Sequence, residues 1–245
     1  NVAIGDGAAK TNTTGSQFVA IGSGALTDNT TGNYSVALGH SALKSNTTGS
    51  GNIGIGQYAS HDNTTGSNNV AVGHYSLENS TASNNTAVGY YALKANTTGA
   101  QNDAFGYVAL TSNTTGSDNC AFGTGALDAN TTASYNTAIG RDALGANTTG
   151  QYNTAIGNRA LYAQSTNTRN VAVGAFALED NTASNNTGCG YGALAQNTTG
   201  SSNAAVGDHA LTNNTTGYEN TAIGARAGDT ITDGYRNCFM GEDAG

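Results

Sequence analysis

Side chains that could perform catalysis or bind a metal are few, and their spacing does not form a reactive group. Cys120, Cys189 and Cys238 stand far apart without a C-x-x-C pair, so neither a zinc site nor a disulfide framework is predicted. His40 and His74 each follow a recurring glycine and are predicted to be surface residues. No calcium-binding repeat is present. We therefore predict a protein that is not an enzyme and has no catalytic residue, metal site or cofactor.

The side chains that suit contact with another molecule are aromatic and charged residues that follow a recurring glycine. Tyrosine, histidine and arginine at exposed positions suit contacts with sugars or proteins. Their free variation is typical of a recognition surface and equally of unconstrained solvent positions, so both interpretations stay open. The candidate contact residues are Tyr58, His74, Tyr75, Tyr90, Tyr91, Tyr107, Arg141, Arg159, Phe176 and His209.

These candidates are carried by a repeat that runs through residues 1–245. The unit reads N-(T/V)-A-(I/V)-G-x-x-A-L-x-x-N-T-T-G-x-x, and the fifteen glycines that close its first phrase define fourteen intervals. Twelve intervals are 17 residues long and two are 16, each having lost one residue near the N-T-T-G phrase. We predict a single repeat array over 1–245, with degenerate terminal repeats over 225–245.

A 17-residue unit is too short for a pair of packed helices, whose repeats are about 33 to 47 residues long. Its short β-branched phrases bounded by turn residues indicate strands. We therefore predict an all-β fold, a parallel β-solenoid or β-roll of about fifteen coils, with equivalent residues stacked roughly 4.8 Å apart. The absence of proline excludes collagen, no apolar run predicts a membrane span, and the charge of −8 argues against nucleic acid as a partner.

Alternation along each strand predicts which side chains face the coil interior. The fourth unit position is apolar throughout, as in Ile139 and Ile156, so we expect it to point inward opposite a column of leucines. The third position, mostly alanine, should then face outward and pack against another chain; the alternative is a crowded interior turn. The candidate inter-chain residues are Ala20, Ala37, Ala71, Ala87, Ala104, Ala121, Ala138, Ala155, Ala172, Ala205 and Ala222.

Polar positions of the unit predict ladders and turns. Asparagine at the first position predicts a stack of amides that bond from coil to coil. The glycine of N-T-T-G predicts a positive φ, because asparagine replaces it once, at Asn167. N-T-T also matches the N-glycosylation pattern, but a glycan on every coil would be crowded, so we favour a turn ladder.

The phrases N-V-A-I-G at Asn1, S-V-A-L-G at Ser35 and N-T-A-I-G at Asn136 resemble head repeats of trimeric autotransporter adhesins of the YadA type. The longer unit Asn136–Gly150 is similar to repeats of bacterial and phage tail-fibre-like proteins. This resemblance covers the whole chain. It implies a left-handed coil, three chains per assembly and attachment to a surface.

The expected function is that of a structural and adhesive extracellular fibre segment. It would project a binding tip from a cell surface, a virion fibre or a secreted filament, and contact glycans or proteins of a host or environmental surface. The expected partners are other copies of the chain, as a trimer or filament, and a surface ligand. The alternatives are a self-assembling extracellular filament subunit and an ice-binding β-solenoid.

Overall fold

The computed structural model describes residues 1–245 and contains fifteen three-residue β-strands as its only regular elements. One strand occurs in each repeat, at the second to fourth unit positions. The strands are β1 (Val2–Ile4), β2 (Val19–Ile21), β3 (Val36–Leu38), β4 (Ile53–Ile55), β5 (Val70–Val72), β6 (Thr86–Val88), β7 (Asp103–Phe105), β8 (Cys120–Phe122), β9 (Thr137–Ile139), β10 (Thr154–Ile156), β11 (Val171–Val173), β12 (Thr187–Cys189), β13 (Ala204–Val206), β14 (Thr221–Ile223) and β15 (Cys238–Met240).

The chain divides into two compact units, Asn1–Ala121 and Phe122–Gly245. In the first unit, β1 to β7 pair in parallel, each with the next, so that Val19 lies opposite Val36. In the second unit, β9 to β15 pair in the same way, and Thr137 lies opposite Thr154. The prediction of an all-β parallel β-solenoid with 17-residue coils is confirmed.

Left-handed backbone at fixed unit positions turns the chain between strands. In the coil that contains β9, Gly140 has a φ of 132°, and Asp142, Leu144 and Tyr152 have φ values of 55°, 52° and 59°. A Cβ on Gly140 would lie 2.5 Å from the carbonyl oxygen of Gly157 in the next coil. Only glycine therefore fits at this corner, whereas the other left-handed positions accept larger side chains.

The core of eleven of the fifteen coils is filled by one leucine and the alanines around it; in the other four, the leucine position holds Ala9, Ser60, Gly228 and Gly245. Leu144 and Leu161 are fully buried, and so are Ala143 and Ala160, which precede them. The predicted leucine column is confirmed. Because a single large side chain fills each of these eleven layers, burial of about 1.5–3 kcal/mol per leucine accumulates coil by coil.

The strand faces are the reverse of the sequence-based prediction. Ala155 is fully buried, whereas Ile139 and Ile156 are 40% and 37% exposed. Leucine already occupies the interior: a Cβ on Gly188, at the alanine position, would lie 3.2 Å from Cγ of Leu178. The space opposite leucine therefore admits only a methyl group, and the bulky strand residues turn outward.

The prediction of inter-chain packing by alanine is consequently wrong. Each of these side chains is fully enclosed within its own coil and is inaccessible to a second chain. The correction applies to Ala20, Ala37, Ala71, Ala87, Ala104, Ala121, Ala138, Ala155, Ala172, Ala205 and Ala222.

Two buried columns of asparagine join successive coils. At the first unit position, Nδ2 of Asn102 donates to Oδ1 of Asn85 over 3.3 Å, which confirms the predicted amide ladder. In the N-T-T phrase, Nδ2 of Asn46 donates to Oδ1 of Asn29 over 3.0 Å and to the carbonyl of Gly49 over 3.0 Å. Asn29 and Asn46 are fully buried, so these two N-T-T asparagines act in the turn ladder that we favoured over glycosylation.

The glycine of N-T-T-G is required for close packing and not for a positive φ. Gly32 and Gly49 are outside the left-handed region, so this prediction is wrong. A Cβ on Gly32 would lie 2.5 Å from Oδ1 of Asn29. The ladder amide therefore occupies the space that a side chain would need.

Candidate functional site

An array of aromatic rings lies on one side of the first unit, from His40 to Tyr107, and is the candidate recognition site. It is carried by the two unit positions that follow the strand glycine, with one contribution from the turn after the leucine position. Tyr58 and Tyr75 share a column because their backbone amides bond to the preceding coils, at His40 and Gln57. We call this array the aromatic face; its members are His40, Tyr58, His61, His74, Tyr75, Tyr90, Tyr91 and Tyr107.

The rings of the aromatic face stack from coil to coil. Tyr58 and Tyr75 have ring centroids 5.0 Å apart and planes inclined by 10°, and Tyr90 and Tyr107 are 5.5 Å apart and inclined by 9°. His74 stacks on Tyr90 at 5.4 Å and 14°. Because stacked rings cover each other's faces, the ring edges and phenol hydroxyl groups are what this side of the unit offers to a partner.

Charged groups border the aromatic face. Nζ of Lys94 lies 4.4 Å from the ring centroid of Tyr91 and 5.0 Å from that of Tyr75, within cation–π range. The same ammonium lies 3.6 Å from a carboxylate oxygen of Glu78. The pKa of Tyr90 is raised, first by its side-chain hydrogen bond with Tyr91 and then by desolvation. The hydrogen bond with Tyr91 therefore favours the protonated form of the Tyr90 phenol.

The structure brings together six of the predicted contact residues in the first unit. These are Tyr58, His74, Tyr75, Tyr90, Tyr91 and Tyr107, all members of the aromatic face. Sequence reasoning missed Lys94 and Glu78. Gln57 follows a recurring glycine like the predicted residues, and its Oε1 lies 3.0 Å from Nε2 of His74. Lys94 and Glu78 occupy the same unit position in neighbouring coils. An alignment of the repeats would therefore have placed these two charges next to each other.

The four predicted contact residues of the second unit lie in smaller clusters. Nε of Arg141 bonds to Asp142 over 3.1 Å. The guanidinium of Arg159 lies 3.0 Å from Glu179 and 4.4 Å from the ring centroid of Tyr162. These arginines are therefore paired with groups of their own chain.

The remaining second-unit candidates, Phe176 and His209, both contact Tyr191, with ring centroids 5.6 and 5.2 Å apart. Sequence reasoning also missed two stacked pairs of exposed tyrosines with planes inclined by only 3°. The two tyrosines of each pair stand one repeat apart in the sequence, and this spacing would have revealed them. The pairs are Tyr135 with Tyr152 and Tyr218 with Tyr235.

A second surface of interest is formed by the outward strand residues. The second and fourth unit positions place mostly valine, isoleucine and threonine on this side, which we call the strand face. Ile21 and Ile55 in the first unit, and Ile156 and Ile223 in the second, are 36–45% exposed. The three cysteines also belong to strand positions on this face, and burial raises the pKa of the Cys120 thiol.

The structure shows no group of three or more histidine, cysteine or acidic side chains placed to hold a metal ion. It also contains no helix with the length and apolarity needed to cross a bilayer. Comparisons with family models, with curated proteins and with solved structures gave no match.

Proposed function

We propose that this chain is a non-enzymatic structural segment of an extracellular adhesive fibre, assembled from several copies that pack through the strand face. The observation that carries the proposal is the exposure of bulky apolar side chains in continuous columns. Ile139 and Ile156 are neighbours in register, and both are more than one-third exposed. A contiguous apolar surface of this kind marks an interaction site in a soluble protein.

The size of the strand face supports packing between copies. Three residues span about 10 Å and coils repeat at about 4.8 Å, so each coil contributes roughly 50 Å². Seven paired strands in each unit offer roughly 340 Å² per unit, or about 700 Å² per chain. Each unit that pairs with the same unit of a second copy would bury about 700 Å² in total, and the buried area grows with every further unit that pairs.

The chemistry of the strand face favours a second copy as its partner. The side chains are mostly valine, isoleucine and threonine, the surface repeats at a fixed interval, and an identical surface matches that interval. The motif resemblance to trimeric adhesin repeats supports three copies, and a self-assembling filament is the second arrangement of the same contact. The aromatic face then remains available for the ligand of the adhesive surface.

Measurement of native mass tests this proposal. We expect the purified chain to form a discrete oligomer, with three copies as the favoured number, in mass photometry and sedimentation velocity. Lysine substitutions at Ile139 and Ile156, with Ile21 and Ile55 in the first unit, should yield monomers. A matched variant with four lysines, at Thr31, Thr65, Thr132 and Thr149, which are exposed outside the strands, should keep the wild-type mass.

A monomer at tens of micromolar concentration, or equal masses for both variants, would contradict assembly through the strand face. Thermal hysteresis is measured on the same samples. Ice shaping by the monomeric protein would instead favour the ice-binding alternative. In the turn, Oγ1 of Thr47 donates to the carbonyl of Thr64 over 2.8 Å, so this threonine hydroxyl is already engaged with backbone.

A further inference from the structure

A polar hollow of about 590 Å³ lies in the first unit, in the coils that precede the aromatic residues Tyr58 to Tyr107. It is formed by the same unit positions that carry the aromatic face in later coils. Its size is within the range of small-ligand sites, about 300–1,000 Å³. The side chains that matter for the argument are Asp6, Lys10, Ser23, Ser41 and Lys44, together with Gly24 in the floor.

The hollow exists because the residues of one column are small there. The position that holds Tyr58 and Tyr75 is glycine at Gly7 and Gly24 and serine at Ser41. A Cβ on Gly7 would meet no atom within 4 Å. The aromatic column therefore ends at Tyr58, one coil beyond Ser41, and the open space begins there.

Two cations border this space without an ion-pair partner. Neither Lys10 nor Lys44 lies within 4.0 Å of a carboxylate, whereas Lys94 lies 3.6 Å from Glu78. The chain has a net charge of −8 and only eight lysine and arginine residues, and two of these eight border this one hollow. They occupy the same unit position two coils apart, which places them roughly 10 Å from each other.

The other lining groups select for a molecule with hydroxyl groups. Asp6 provides a carboxylate that accepts hydrogen bonds, and Ser23 and Ser41 provide hydroxyls that donate and accept. A bare phosphate or sulfate would be repelled by Asp6 and would leave most of the volume empty. A sugar ring that carries one negative group matches lysine, carboxylate and hydroxyl together.

We infer that this hollow is a subsite for an anionic sugar, a saccharide unit with a carboxylate or sulfate group. Lys10 and Lys44 hold the negative group, while Asp6, Ser23 and Ser41 bond to ring hydroxyls. This inference rests on the proposed adhesive function and specifies the ligand class. It concerns a different surface from the strand face, so native mass and sugar binding report on the two proposals separately.

Calorimetric titration tests the lysine contacts. The probes are trigalacturonate, a chondroitin sulfate tetrasaccharide, neutral maltotriose and polyglutamate. Binding of either anionic sugar, with at least tenfold weaker binding of maltotriose and polyglutamate, supports the subsite, and the better probe identifies carboxylate or sulfate as the source of charge. Lys10→Gln and Lys44→Gln should each weaken binding about tenfold or more, because each removes a charge-assisted hydrogen bond. Arg169→Gln, which removes an exposed cation elsewhere, should leave binding unchanged.

A filling substitution tests the position of the ligand. Ser41→Tyr should abolish binding, because a tyrosine there would extend the Tyr58 column into the hollow. The position already has a φ of 55°, close to the 58° of Tyr58, so the backbone accepts the change. Gly192→Tyr, at the equivalent position of the second unit, is the matched control and should bind normally.

Several results would overturn the inference. These are no binding of either anionic sugar at millimolar concentration, equal binding of maltotriose or polyglutamate, or unchanged affinity in the lysine variants and Ser41→Tyr. Circular dichroism of each variant confirms that its fold is retained. A chain that assembles but binds no anionic sugar would refute this inference and leave the proposed assembly intact.

Discussion

Substitution of Ala155 by leucine, compared with substitution of Ile156 by lysine, tests which side of β10 faces the coil interior. Ala155 is fully buried and Ile156 is 37% exposed. At the equivalent position two coils further along, a Cβ on Gly188 would lie 3.2 Å from Cγ of Leu178. Three further carbon atoms at Ala155 therefore have no free space, and overpacking should cost about 3 kcal/mol.

The lysine substitution should cost much less. Complete burial of isoleucine contributes about 1.5–3 kcal/mol, and Ile156 realises only part of it, about 1–2 kcal/mol. The lysine stem can cover the same surface while its ammonium remains in water, so the net loss should be about 1 kcal/mol or less. The reverse orientation would predict the opposite order, because it would bury the ammonium.

Urea unfolding followed by circular dichroism measures the difference. With m-values of about 1–3 kcal/mol/M, Ala155→Leu should lower the midpoint by about 1–3 M and Ile156→Lys by clearly less. The m-values of the two variants and the wild type should be equal, and their midpoints should not change when the protein is diluted. The comparison then reports on folding and not on dissociation of copies. A larger midpoint loss for Ile156→Lys would refute the assignment of the strand faces.

Three further changes test the ladder, the core and an ion pair. Asn46→Ala should lower stability by about 2–3 kcal/mol in urea unfolding, because the buried carbonyl of Gly49 loses its donor. Asn46→Asp, whose ionised carboxylate only accepts hydrogen bonds, should not restore it. Gly188→Ala should change stability by less than about 1 kcal/mol, because the lower unfolded-state entropy of alanine is offset by a methyl group 3.0 Å from the carbonyl oxygen of Ala193; a loss of more than about 2 kcal/mol would contradict this. The bond from Arg226 lowers the pKa of Asp243, so their pair stabilises the fold above the unfolded-state pKa and is lost as pH falls through the folded-state pKa. The Tm of Asp243→Asn should therefore lie below wild type at neutral pH and converge with it in strong acid; a gap independent of pH would contradict the assignment.

The architecture of the coil could be predicted because the repeat imposes stacking. Residues one repeat apart must lie over each other, so the leucine column and the asparagine ladder follow directly from the pattern. Asn85 and Asn102, for example, bond as the alignment predicts. The same logic extends to the stacked tyrosines, whose pairing needs only their unit position.

The direction of the strand side chains could not be predicted from apolarity alone. A three-residue strand has two possible faces, and both contain apolar residues. The choice depends on how much room Leu144 and its equivalents leave, which is a question of three-dimensional volume. Likewise, the role of Gly32 depends on the position of the Asn29 amide, and composition does not reveal it.

The sequence indicated which residues are candidates for the recognition surface, but not which of them lie together. Tyr58 and Tyr75 were recognised as contact candidates, and the coil spacing explains their stacking. Arg159 was chosen by the same rule, yet it is engaged with Glu179 and Tyr162 within its own chain. The hollow escaped prediction because it arises from absent side chains at Gly7 and Gly24.

The two amide columns also constrain how the length of this protein can change. An extra residue in the segment from a first-position asparagine to the N-T-T asparagine of the same coil, such as Asn52 to Asn63, would move the second amide away from its partner in the neighbouring coil. The two shorter repeats instead omit a residue from the threonine turn that follows the N-T-T position, and the column continues there because Nδ2 of Asn96 donates to Oγ of Ser80 over 3.0 Å. The number of coils is therefore free to vary in whole steps, while the length of each coil is held nearly constant.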